Sequence, residues 1–225
     1  MPNTLDRTID TTHNVLRQRL REASAGVGSG ASPRDVQQMT DTFMASTCRH
    51  LCAANAVLVP AARQWLPDGS DLTRDFGRQC RQLEQALRRA KGKVYGQAQT
   101  VHLSWSSVWS SVRTEFDTTV TTERQIADAL VTSLDPRAAD ALASRLYRLE
   151  VTAPTRPHPH APRSGMAGKL ARRMWSRADR MWDSMEGRVL PQPVQPRVDR
   201  TPHGLLTQYL MGNPRLGAEN AADVV

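Results

Sequence analysis

Apolar residues recur every three or four positions through most of the chain, and no stretch alternates residue by residue. That period predicts helices and no strands. A first helix over 4–23 carries the stripe Leu5, Ile9, Leu16 and Leu20 and runs out in the glycine-rich connector 25–30. Ser32 and Pro33 supply an N-cap and an N1 proline for a second helix, which extends to 65 with a bend expected near Pro60. Its stripe is Val36, Met39 and Phe43, then Val57 and Ala61, and it stops at the turn Pro67-Asp68-Gly69. The third helix, 70–96, aligns Leu72, Phe76, Leu83, Leu87, Ala90 and Val94. The fourth, 97–134, aligns Val101, Trp105, Val108, Val112 and Phe116, then Ile126, Leu130 and Leu134. Asp135-Pro136 ends it and starts a shorter helix to 151. Four amphipathic helices on mostly short connections must bury their stripes against one another, so the expected fold is all-α, an up-down four-helix bundle.

The texture changes after Thr152. The segment 154–165 holds four prolines and cannot be regular helix. From 166 to 186 the helical period returns, with Leu170, Met174, Trp175, Ala178, Met181, Trp182 and Met185 on one side. Lys169, Arg172, Arg173, Arg177 and Arg180 lie mainly on the other, and Gly187 fits a C-cap. Pro191, Pro193 and Pro196 predict an extended strap, and a short helix is expected over 205–211. The chain thus divides into a bundle, 1–151, and an extension, 152–225, packed on it. Trp175 and Trp182, seven residues apart, make a packing seam the expected role for the apolar side of 166–186.

Charge adds a second asymmetry. The 225 residues carry a net charge of +8, but 155–200 hold 10 Lys/Arg against 4 Asp/Glu, leaving 20 against 18 elsewhere. A basic amphipathic helix has membrane surfaces and nucleic acid as its alternative partners, with a solvated basic face as the plainer expectation. The longest apolar run, 51–62, includes Asn55 and Pro60 and is too short to span a bilayer. Three cysteines make no disulfide framework, and the N-terminal stretch has no apolar signal region, so a cytoplasmic protein is expected. No phosphate-binding glycine loop, Ser–His–Asp order or His-Glu-x-x-His appears, and an enzyme is not expected.

The stripes are interrupted by polar residues near mid-helix. His13 fills the gap between Ile9 and Leu16, and His50 stands seven residues from both Phe43 and Val57. Cys80 lies between Phe76 and Leu83, and Thr119 and Glu123 lie between Phe116 and Ile126. In an up-down bundle these positions share one level. A carboxylate buried there needs a partner. One reading is a single zinc or iron ion on His13, His50 and Glu123, with Cys80 as a softer fourth ligand. The other is a metal-free His–Glu cluster that fixes helix register.

Several stretches in this order carry a resemblance: Arg49-His50-Leu51-Cys52-Ala53 ahead of 57–60, Leu66-Pro67-Asp68-Gly69, 83–87, Tyr95-Gly96, 153–159, 179–188 and Gln208-Tyr209-Leu210. Together they resemble a hemerythrin-like (HHE cation-binding) domain of the actinobacterial sort with a C-terminal extension. The resemblance implies a non-haem di-iron centre held by a His on helix one, His-x-x-x-Glu on helices two and four, and a His on helix three. Carried over, His13 and His50 match and Glu123 retains its carboxylate. Ala54 stands where the second helix's Glu should be, Thr119 where the fourth helix's His should be, and Cys80 is the nearest substitute for the third helix's His. Three of six ligands survive, so an intact di-iron centre is not expected. The resemblance then implies a non-enzymatic binding or regulatory module with a degenerate site and an unidentified protein partner. The alternative is a mononuclear iron or zinc protein that binds or senses oxygen-related species through His13, His50 and Glu123. A second alternative is a membrane- or nucleic-acid-associated adaptor working through 166–186.

Three further groups have plainer readings. His158 and His160 sit among prolines and are expected to belong to a rigid loop strapped over the bundle. His102, near Trp105 and Trp109, reads as an interfacial imidazole. Cys48 and Cys52 share a helix face and read as small buried hydrophobes.

Overall fold

The computed structural model describes residues 3–158, 165–185 and 190–197. Among them there are six helices and no strand: α1 (Thr4–Gly26), α2 (Pro33–Trp65), α3 (Gly69–Val94), α4 (Trp105–Ser133), α5 (Pro136–Thr152) and α6 (Gly165–Met185). The chain is all-α, as the periodicity predicts. The expected Gly187 cap, the 205–211 helix and His160 lie outside the described residues.

Local chemistry sets the helix ends. Asn3, Ser32, Ser104 and Asp135 each turn a side-chain oxygen back onto a first-turn backbone N–H. Pro33 and Pro136 occupy first-turn positions where no N–H is needed. Pro60 lies inside α2, which continues past it to Trp65. The third helix closes in a Schellman motif: Gly96 takes φ +66°, Gln97 N–H donates to the Gly92 carbonyl at 2.8 Å, and Gly96 N–H to that of Lys93 at 3.3 Å.

That motif corrects the start of the fourth helix. The chain makes turns over 97–103, and α4 begins at Trp105 behind its Ser104 cap. Val101, counted in the stripe, is therefore exposed, and so is His102, expected at an interface. α1 runs three residues beyond the expected end, to Gly26. There a Cβ would meet the methyl of Met39, the flexible end of a side chain from α2.

The helices α1 to α5 share one apolar core, with α3 packed along α4, α2 along α1, α3 and α5, and α1 also against α4. Leu5, Ile9, Phe43, Leu51, Phe76, Leu83, Phe116 and Ile126 are fully buried, as are all five polar interruptions of the stripes. Each buried CH2 contributes about 0.8 kcal/mol, so these large side chains dominate stability.

The α6 orientation is the main correction. Its buried positions are Gly168, Ser176, Asp179 and Asp183, whereas Leu170, Met174, Trp175, Met181 and Met185 are exposed. The side chains of Lys169, Arg180 and Trp182 lie outside the described set. The expected apolar seam does not form at Trp175, because two aspartates one turn apart hold the segment before the helix. Asp179 Oδ2 accepts from the backbone N–H of Thr155 at 2.8 Å and of Arg156 at 2.9 Å. Thr155 Oγ1 donates to Asp183 Oδ2 at 2.7 Å, and Arg156 reaches both carboxylates at 3.7 to 3.9 Å. His158 stacks on Trp175 with ring centres 4.3 Å apart. Among the described residues no helix is long and apolar enough to cross a membrane.

Candidate metal centre

The centre is assembled from three helices. α1 brings His13 between Ile9 and Leu16, α2 brings His50, and α4 brings Glu123 one turn after Thr119. Their exposures are 3%, 1% and 0%. His13 Nε2 lies 3.2 Å from Glu123 Oε2, and His50 Nε2 lies 3.1 Å from the same oxygen and 2.9 Å from Oε1. The imidazoles meet edge to face, with centres 5.5 Å apart. One donor atom from each residue lies within 4.8 Å of the other two, and among the described residues this is the single His/Cys/Asp/Glu group so arranged.

Two expected members do not join. The Cys80 thiol is fully buried but accepts from Asn55 Nδ2 at 3.3 Å. Thr119 donates its hydroxyl to the Glu115 carbonyl at 2.7 Å. A threonine that satisfies itself one turn back can occupy a core position without a partner from another helix.

Glu150, from α5, was missed by the sequence reasoning. Its Oε1 accepts from His50 Nδ1 at 2.6 Å, and the residue is 3% exposed. The signal existed: Ala139, Ala143, Leu146 and Glu150 form the buried side of α5, so Glu150 interrupts an apolar stripe as Glu123 does. Outside it, Arg19 and Arg49 are half-buried cations. Burial lowers their pKa values, and Glu150 is among the carboxylates that oppose the effect. Arg49 also donates to the Pro191 carbonyl at 3.3 Å, which ties the strap to the helix that carries His50.

The electrostatics follow from this enclosure. Burial disfavours a charged imidazole at His50, but Glu123 and Glu150 outweigh it and raise its pKa from 6.5 to about 10. Burial likewise disfavours the Glu123 carboxylate, yet His50 and then His13 hold it down at about 2. Without a metal, the cluster is an imidazolium clasped by two carboxylates.

The donor set also fits a metal ion. Ligands at about 2.0–2.2 Å from one ion stand roughly 3 Å apart, which is the spacing between Glu123 and the two imidazoles. Both histidines offer Nε2 to the same point. Glu123 Oε1, buried, lacks a hydrogen bond of good geometry despite its proximity to His50. The far nitrogen of His50 meets a carboxylate, the arrangement that fixes tautomer and orientation in a metal-bound histidine. The buried His13–His50–Glu123 cluster can therefore hold one metal ion.

A second, shallower feature lies beside α6. A small cavity of about 50 Å³, open to solvent, is lined by Cys48, Cys52, Glu84, Arg156, His158 and Trp175, among others. Cys48 is buried, and burial, with Glu84 and Asp179 adding, raises its thiol pKa. None of the three cysteines is in a disulfide; Cys48 is buried, as expected of a small hydrophobe, whereas Cys52 is only half-buried. No family model, curated protein or solved structure matches this chain.

Proposed function

We propose that this protein is a mononuclear metal-binding module, with His13, His50 and Glu123 holding one divalent iron or zinc ion and Glu150 orienting His50. The observation that carries the reading is the convergence of two Nε2 atoms on one buried carboxylate, backed by a second carboxylate on the far nitrogen of His50. Two histidines and one carboxylate on a bound ion leave positions open for a small exogenous ligand. We read the role as binding or regulatory rather than enzymatic, because Glu150, the further acid at the cluster, is engaged by His50 Nδ1.

The hemerythrin-like resemblance belongs to this proposal. The packing of α1 with α2, α2 with α3, α3 with α4 and α1 with α4 supports an up-down four-helix reading, with α5 packed on α1 and α2 beside it. α5, α6 and the 190–197 strap would be added outside it. Ala54, Thr119 and Cys80 occupy three of the six ligand positions of that family, so the reading is one ion rather than two.

The second reading is a metal-free register device. The charged state of His50 favours it, since the imidazolium already satisfies both carboxylates. Metal content separates the two. Protein purified without an affinity tag should carry close to one iron or zinc per chain, lost in His50→Ala. A metal-free wild type that takes up none from a stoichiometric addition would establish the register device instead.

A further inference from the structure

Of the ten exposed large apolar side chains among the described residues, six lie on α6: Met166, Leu170, Met174, Trp175, Met181 and Met185. Such clustering on one helix differs from the scattered exposure ordinary on a protein surface. At 100° per residue, Met166, Leu170, Met174, Met181 and Met185 span an arc of about 100°, roughly one outward quadrant. Trp175 stands off that quadrant, stacked on His158.

The polar residues of α6 are sorted with equal sharpness. In sequence the helix holds five Lys/Arg against two Asp. Both acids are buried, with Thr155 and Arg156 as partners. Arg173 and Arg177 are exposed, Arg173 at the edge of the apolar arc and Arg177 within it, between Met166 and Leu170. Every exposed α6 side chain among the described residues is therefore either apolar or an arginine.

We propose that α6 is a membrane-surface helix. Its methionine- and leucine-bearing quadrant would enter the headgroup–acyl boundary of an anionic bilayer, and Arg173 and Arg177 would pair with lipid phosphates. The charge distribution selects this occupant. A second copy of the chain would bring the same arginines against one another, and a nucleic acid would leave the apolar quadrant idle. An anionic interface satisfies both halves of the face at once. The helix is too polar to cross the bilayer and lies in its plane. The inference stands apart from the metal centre, which shares no residue with this face.

The test is co-sedimentation of the full chain with vesicles of phosphatidylcholine alone and of phosphatidylcholine with about one-third phosphatidylserine. Binding to the anionic vesicles should exceed binding to the neutral ones by roughly tenfold in low salt and fall steeply by about 0.5 M salt. The triple variant Leu170→Glu, Met174→Glu, Met181→Glu should lose that binding roughly tenfold or more, with an unchanged circular dichroism spectrum, because none of the three side chains is in the core. Arg173→Glu with Arg177→Glu should abolish the preference for phosphatidylserine. Three results overturn the proposal: no binding by the wild type in low salt, binding unaltered in both variants, or a concentration-dependent dimer that the triple variant dissociates.

Discussion

Glu123 has no exposed surface and two imidazoles beside it, so its charge must be matched within the protein. In metal-free protein His50 supplies the match, and the linkage between pKa and folding gives a pH signature. A pKa of about 10 for His50, above its ordinary 6.5, contributes stability that is complete below 6.5 and lost as pH rises through 10. A pKa of about 2 for Glu123, below its ordinary 4.5, contributes stability present above 4.5 and lost as pH falls through 2. Chelator-treated protein should thus show its highest urea midpoint between pH 4.5 and 6.5, with an alkaline decline that His50→Gln flattens. An alkaline limb identical in the two proteins would mean that His50 is not held charged. Glu123→Gln removes one side of a buried pair and should cost about 3–5 kcal/mol in the metal-free state. Glu150→Gln is subtler. It keeps an acceptor for His50 Nδ1 but loses the charge, so metal affinity should weaken about 10- to 100-fold with Glu123 still in place. An affinity unchanged in a competition titration would remove Glu150 from the account.

At the scale of helices, close backbone approaches fix how the elements meet. A Cβ on Gly69 would lie 2.0 Å from the Ala62 carbonyl oxygen and 2.5 Å from its carbon, so the turn between α2 and α3 admits no side chain. Gly69→Ala should destabilise the protein by about 1–3 kcal/mol, read as a lower urea midpoint with unchanged slope. An unaltered midpoint would show that the turn relaxes freely. The helices themselves were legible because 3.6-residue periodicity reports burial wherever apolar groups face inward. That logic found His13, His50 and Glu123 as interruptions, and it would have found Glu150 had α5 been read as a packed helix. It failed at α6 for a physical reason. Asp179 and Asp183 gain two backbone N–H groups, a hydroxyl and a guanidinium by facing in, and the apolar quadrant is left outside. The start of α4 was missed because Gly96 reads as an ordinary pause, whereas its positive φ closes a Schellman motif and forces turns as far as Ser104.

Over the whole molecule, the charge asymmetry of the sequence becomes an asymmetry of roles. The near-neutral helices enclose a buried polar centre, and the basic extension is tied to them by polar contacts. Arg49 donates to the Pro191 carbonyl and Arg7 to the Arg197 carbonyl, so the strap bears on α1 and α2, the helices that carry both histidines. The expected division into a helical body, 1–151, and a strapped extension, 152–225, rests on proline spacing. The fit of Cys80 to the centre did not, because stripe position gives a level but not a distance, and Asn55 takes the thiol. Titration calorimetry of Zn2+ into chelator-treated protein near pH 7, in two buffers of different ionisation enthalpy, tests the central claim most directly. The account predicts one site per chain, release of about one proton per ion as Nε2 of His50 gives up its hydrogen, and no binding in Glu123→Gln with His50→Ala. Binding with no proton release, or equal binding in that double variant, would contradict it.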